Sequence, residues 1–358
     1  MNIFVMNITL ILIWGYILLY REPSQRKRKI FCILVTIQWI LISGLRHLNI
    51  GADTDSYLRI FKQVELKGFP ELWDNFVNHY FHGEAITDPG YHLTVKIFQL
   101  FFKDYQVYLM FVALFFHIPF GIFIYRNSKE PCISFIIYSV LFANFFALTG
   151  IRQTIAQVLV TFIGYECIKE KNLKKYLLLT AVAYTIHASS IIALPFYFIA
   201  NKKLTKKYIF CIILAIPFLF LFLNSFRGFI ALFLGENYIG YTDFYENGTL
   251  GTTSFSTVFI SLTVAALLQI KRILKTSPQS INYYNAIFLA LIFLPLTFVD
   301  PSNMRVVQYF SPFIILLIPE VFDSLDKKDS RTIIYLAALI LVFYLFFRQQ
   351  RLYMFFWE

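Results

Sequence analysis

Most of the 32 lysines and arginines in this chain sit in short loops between apolar runs of nearly membrane-crossing length. A run that enters hydrocarbon must satisfy all its backbone N–H and C=O groups internally, and at this length it does so as a helix. The expected fold is therefore all-α: a polytopic integral membrane protein, one domain over residues 1–358. About ten full crossings are expected from the hydropathy pattern. They lie near residues 3–20, 30–45, 105–125, 132–148, 152–168, 208–223, 255–270, 281–299, 306–320 and 332–347.

The loops also set the orientation. Basic residues favour the inner side, which places Arg21 to Lys29, Arg126 and Lys129, Lys169 to Lys175, Lys202 to Lys207, Lys271 to Lys275 and Lys327 to Arg331 inside. Residues 176–200 lie between two of these basic loops, so an even number of crossings is expected there. A hairpin of two short helices, turning at His187-Ala188-Ser189-Ser190, keeps both loops inside. The run 3–20 has no basic residue before it and five after it, so it reads as a retained first span that starts outside. Arg348 and Arg351 follow the last span and fall outside, against the general bias.

Composition excludes several classes. With 58% hydrophobic residues and a mean hydropathy of +0.63, the chain is not a soluble domain around one core. The net charge of +11 would elsewhere suggest nucleic acid. Here the positive charge sits beside spans, where it meets anionic lipid headgroups, and no nucleic-acid partner is expected. Cys32, Cys132, Cys167 and Cys211 lie in or beside apolar runs with no paired spacing, so neither a disulfide framework nor a zinc site is indicated. There is no P-loop, dinucleotide glycine fingerprint, nucleophile elbow or HExxH pattern.

Chemistry is expected on the outer side. Two outer segments, 46–104 and 224–254, mix acidic and aromatic residues, and 91–102 suits a short interfacial helix. Arg46, Arg152 and Arg305 fall at outer ends of spans. A guanidinium in a helix at the bilayer centre costs roughly 2.5 to 3.5 kcal/mol, so Arg152 needs a partner, a watery cavity or a route to the headgroups. Each residue also has a plainer reading. Arg46 serves equally as a juxtamembrane anchor, and Asp53 or Asp55 as the N-cap of a helix carrying Tyr57. His187 serves as a packing residue, and Arg305 as a local partner of Asp300.

The segment Arg46-His-Leu-Asn-Ile-Gly-Ala-Asp-Thr-Asp-Ser-Tyr57 resembles the R-x(n)-G-x-D-x-x-x-Y outer-loop signature of the EpsG family of Wzy-like polymerases. Three further elements follow in the family's order. Asp88-Pro89-Gly90-Tyr91 is similar to E-P-G-Y, with Asp in place of the usual Glu; Gly150-Ile151-Arg152-Gln153-Thr154-Ile155-Ala156 to R-Q-x-I-A; and His187-Ala188-Ser189-Ser190 to H-x-S. The last third matches mainly through Asn303-Met304-Arg305 and Tyr309.

The resemblance implies a glycosyltransferase at the outer face of the cytoplasmic membrane. It would join polyprenyl-diphosphate-linked oligosaccharide repeat units, one as donor and one as acceptor, into an exopolysaccharide, capsule or O-antigen chain. A chain-length regulator and a flippase of the same pathway are the expected partners, and no metal, nucleotide sugar or other cofactor is required. Arg46, Arg152 and Arg305 would hold diphosphate, with Gln153, Tyr57, Ser190 and Tyr309 around the substrate. His187, with Asp53 or Asp55, would handle the acceptor proton. A flippase for the same lipid-linked oligosaccharide is the alternative from another class, and a membrane acyltransferase the third.

Overall fold

The computed structural model of the chain describes residues 3–20, 24–143, 145–221, 249–298, 301–325 and 353–358. The predicted span 332–347, most of the outer segment 224–254, Asp300, Arg348 and Arg351 lie outside the described residues. Their regular structure is helical, apart from a single bridge between Arg46 and Phe355.

The helices run in chain order as α1 (Ile3–Leu19), α2 (Gln25–Gly44), α3 (Thr54–Leu66), α4 (Phe69–His82), α5 (Pro89–Gln99), α6 (Tyr105–Asn127), α7 (Pro131–Leu141) and α8 (Ile151–Gln157). A π-helical segment, Val158–Ile163, leads from α8 into α9 (Gly164–Lys169). There follow α10 (Leu173–Ile186), a 3-10 segment Ala188–Ala193, α11 (Leu194–Ile199), α12 (Lys206–Leu221), α13 (Thr249–Leu268), α14 (Ile270–Thr276), α15 (Ile281–Phe293), α16 (Met304–Val307) and α17 (Ile314–Ser324).

Sequence hydropathy and the lengths of single helices give different counts of crossings. Among the described residues two helices are long and apolar enough to cross a membrane, Tyr105–Asn127 and Pro278–Phe298. A third is added if Thr253–Leu268 and Ile270–Thr276, bent by 67°, form one broken span. At 1.5 Å per residue α6 is about 34 Å long, enough for the hydrocarbon core. The difference has a local cause, because several apolar runs that look continuous in sequence are interrupted in the backbone. The run 306–320 holds a short helix, a 3-10 turn and part of α17, and the run 281–299 passes from α15 into a 3-10 turn.

The stretch between the two lysine loops folds as the charge pattern requires. α10 ends where His187 turns to an extended conformation, and the chain folds back. Tyr176 at the start of α10 donates from its hydroxyl to the Ala193 carbonyl at 2.8 Å and packs on Tyr197 of α11.

α2 and α6 form the most intimate helix pair. The N-terminus of α2 is capped by Ser24, whose Oγ accepts from the Lys27 N–H, and that of α6 by Asp104, which accepts from the Val107 N–H. Arg28 of α2 donates to the carbonyls of Ser128 and Lys129 just beyond α6. Midway, a Cβ on Gly121 would collide with Thr36 Oγ1, so only glycine permits this approach. Gly121→Val is expected to force the two helices apart and cost about 1 to 3 kcal/mol. The check is a lower thermal unfolding midpoint in detergent, with Thr36→Ala restoring part of the loss.

Several of the basic residues assigned to the inside lie at one end of the bundle, where Arg28 reaches the Lys129 carbonyl. Lys169 bonds Glu166 at 2.9 Å and Asn127 at 2.8 Å, while Lys129 bonds Asp323 at 3.1 Å. At the opposite end a smaller apolar cluster joins α3 and α5 to α6, α8 and α10. α3 contributes Tyr57, Phe61 and Val64 and α5 contributes Tyr91, Val95 and Phe98, each set at i, i+4, i+7. Gln99 of α5 reinforces the layer by donating to the Phe61 carbonyl at 2.7 Å. This layer sits over the ends of α8 and α10 and positions the site.

Candidate functional site

α8 begins at Ile151 and carries Arg152 one residue later, so the guanidinium emerges at the helix end nearest the layer of α3 and α5. Its partner comes from that layer. Arg152 Nη1 donates to Asp88 Oδ2 at 2.8 Å. Asp88 precedes Pro89, the first residue of α5, and has a left-handed backbone (φ 47°, ψ 55°). Asp tolerates that conformation better than most residues, which suits the replacement of the family's more usual Glu. Its carboxylate does not cap α5 but turns towards α8 and α10.

The second partner of Asp88 is His187, in the break after α10. His187 Nδ1–H donates to Asp88 Oδ2 at 3.2 Å, and the next backbone N–H, of Ala188, donates to Oδ1 at 3.2 Å. One carboxylate thus joins three elements. The contact depends on Gly90, where a Cβ would lie 2.5 Å from Thr185 Oγ1, so α5 could not seat this closely on α10 with a side chain there. The Asp88 and His187 side chains are 4% and 2% exposed, and Arg152 is 20% exposed.

Burial would raise the Asp88 carboxyl, but the His187 hydrogen bond, the charges of His187 and Arg152 and the Ala188 N–H together hold it below the usual carboxylate range. A depressed carboxyl stabilises the fold above its unfolded value of about 3.9, and that contribution fades as pH falls through the lower folded value. The part of the difference in unfolding midpoint between wild type and Asp88→Asn that comes from this carboxyl is therefore expected to shrink as pH falls from about 5 to below about 4. Scanning calorimetry across that range checks it.

The other predicted residues divide between this cluster and elsewhere. The Arg152 guanidinium lies 5.8 Å from the centroid of the Tyr57 ring, and the Arg152 N–H points at the Tyr57 hydroxyl at 3.4 Å. Gln153 donates to the Arg305 carbonyl at 3.0 Å and to Gln308 at 2.7 Å, tying α8 to α16. Arg305 is near enough for its charge to act on His187. Tyr309 bonds Ser189 Oγ at 3.1 Å; Ser190, beside it, is fully buried and its Oγ has no hydrogen-bond partner among the described residues.

Arg46 stands apart. It is fully buried at the end of α2, where it donates to the Ser43 carbonyl and forms an antiparallel bridge with Phe355. Burial pulls its guanidinium down to about 10, so it stays charged at neutral pH. The flanking bonds, His47 N–H to the Met354 carbonyl and Phe356 N–H to the Leu45 carbonyl, place the C-terminal segment at the same end of the bundle as Arg46.

Asp53 and Asp55 also lie outside the cluster. Asp53 holds the N-cap position of α3 but makes no side-chain capping bond, so the capping expected from sequence is not made. Asp55 is exposed and pairs with Arg59 at 3.3 Å. The carboxylate beside His187 is Asp88, which sequence reasoning left out of the site. Its signal was an acidic residue immediately before Pro-Gly-Tyr at a helix start. Among the described residues no group of three or more His, Cys, Asp or Glu side chains could hold a metal ion.

A search of curated proteins and one of solved structures each found no match. The family model of EpsG, by contrast, matches residues 29–354, nearly the whole chain. The chain thus belongs to the EpsG family, a family of Wzy-like polymerases.

Proposed function

We propose that this protein is a membrane glycosyltransferase that polymerises polyprenyl-diphosphate-linked oligosaccharide repeat units at the outer face of the cytoplasmic membrane. The observation that carries the reading is the Asp88-centred contact of Arg152 and His187 at the end of the bundle opposite the basic loops. Family membership supports the polymerase class. The lipid-linked donor and acceptor, the membrane side and the crossing number near ten belong to the proposal.

In this scheme the Nδ1–H of His187 is held by Asp88, so Nε2 is the basic nitrogen. Nε2 takes the proton from an acceptor sugar hydroxyl, whose oxygen attacks the anomeric carbon of the donor. The bond from that carbon to the diphosphate oxygen breaks, and the electron pair leaves with the polyprenyl diphosphate. Arg152 and Arg305 meet the charge that develops there; a guanidinium fork suits diphosphate oxygens. The proton on His187 then passes to solvent.

The test is reconstitution of the purified chain with the lipid-linked repeat unit of its own pathway, with products resolved by glycan length. A ladder of repeat-unit multiples is the expected result. Movement of the unit across vesicle membranes without any ladder would replace this reading with transport.

A further inference from the structure

Two tyrosines from different elements lie beside the cluster. Tyr80 lies in the last turns of α4 and Tyr184 three residues before His187; their ring centroids are 6.0 Å apart, and both rings are half-buried. Tyr80 is near enough to Asp88 for the carboxylate's charge to bear on its hydroxyl. Behind Tyr80 the rings continue along one stripe of α4. Phe76 is 4.9 Å from Tyr80, and Trp73 stacks on Phe76 at 5.5 Å with its plane tilted by only 12°. Trp73 is half exposed.

The stripe is not explained by the core. Leu72 is the fully buried residue of α4; Phe76 and Tyr80 are partly buried, Tyr80 against Tyr184 of α10, and Trp73 is half exposed. Flat rings that are partly open to solvent stack on the apolar faces of pyranose rings, and tyrosine adds a hydroxyl for sugar oxygens. A run of rings that ends beside Asp88 is continuous with the place where an acceptor hydroxyl would react.

We infer that Tyr80 and Tyr184, extended by Phe76 and Trp73, form a glycan subsite that holds the acceptor saccharide against the Asp88, Arg152 and His187 cluster. The inference rests on the polymerase reading for its role but not for its test. The probe is the set of oligosaccharides released by partial acid hydrolysis of the host's own polysaccharide, added without any lipid diphosphate to the full chain in nanodiscs. Loss of one stacking ring forfeits about 0.5 to 1.5 kcal/mol, so Tyr80→Ala and Tyr184→Ala should each weaken binding about two- to tenfold. Tyr80→Phe, which keeps the ring, should stay closer to wild type than Tyr80→Ala.

A second readout needs no variant: magnetisation transferred from aromatic protein protons to sugar ring protons should be strong for the wild type. Unchanged affinity in both alanine variants, or no aromatic transfer to bound sugar, overturns the subsite. Wild-type protein that binds no oligosaccharide overturns it as well. Because binding is read without turnover, a chain that binds the saccharides but makes no ladder would sink the polymerase reading alone.

Discussion

Arg152→Ala is expected to slow the first coupling of two repeat units by about 10² to 10³, the usual cost of removing one preorganised donor to developing negative charge. Arg152→Lys should recover only part of the rate, because an ammonium keeps the charge and loses the fork. The measurement is the initial rate of dimer formation on lipid-linked substrate, beside the thermal unfolding midpoint of each variant. Asp88 loses its 2.8 Å partner in Arg152→Ala, so some stability falls as well. Asp88→Asn serves as the comparison for stability alone, since it breaks the same ion pair and leaves the guanidinium in place, while its rate also reports the lost hold on His187 Nδ1–H. A wild-type coupling rate in folded Arg152→Ala would remove the arginine from the reaction.

His187→Ala should cost about 10² to 10⁴ in coupling rate, the range of a positioned general base. The side chain is nearly enclosed, so its removal leaves a space of imidazole shape beside Asp88. Added imidazole is therefore expected to restore part of the rate in His187→Ala and none in Arg152→Ala. A purely packing histidine would give lower stability and no rescue of rate. Asp55→Asn offers a contrast: its carboxylate pairs with Arg59 on an exposed helix face, where such pairs contribute little.

Much of this arrangement was legible before any coordinates. Arg152 was expected to need a partner, a watery cavity or a route to the headgroups, and it has a partner in Asp88. Two lysine loops on either side of 176–200 needed a turn between them, and the backbone breaks at His187. What sequence could not select was the carboxylate. Residues 46–104 hold several acidic side chains, and Asp53 and Asp55 looked better placed because they fall within the first family motif. Asp88 is chosen by how α5 seats on α10, which turns on the absence of a side chain at Gly90. The number of crossings is likewise not fixed by single helices among the described residues. Hydropathy sums side chains over a window and is blind to the π-helical and 3-10 segments that interrupt the backbone.

The sequence by itself determined the helical class, the division of charge between two ends of the bundle, the fold-back between the lysine loops and the family. All of these depend on local pattern: apolar length, loop charge and short motifs. Only the tertiary structure decided that Asp88 joins Arg152 and His187 across separations of 64 and 99 residues, that Arg46 is sealed beneath the C-terminal segment, and that Asp55 faces outward. The physical reason is that a buried carboxylate is tolerated only where donors converge on it, and convergence over such distances is set by helix packing.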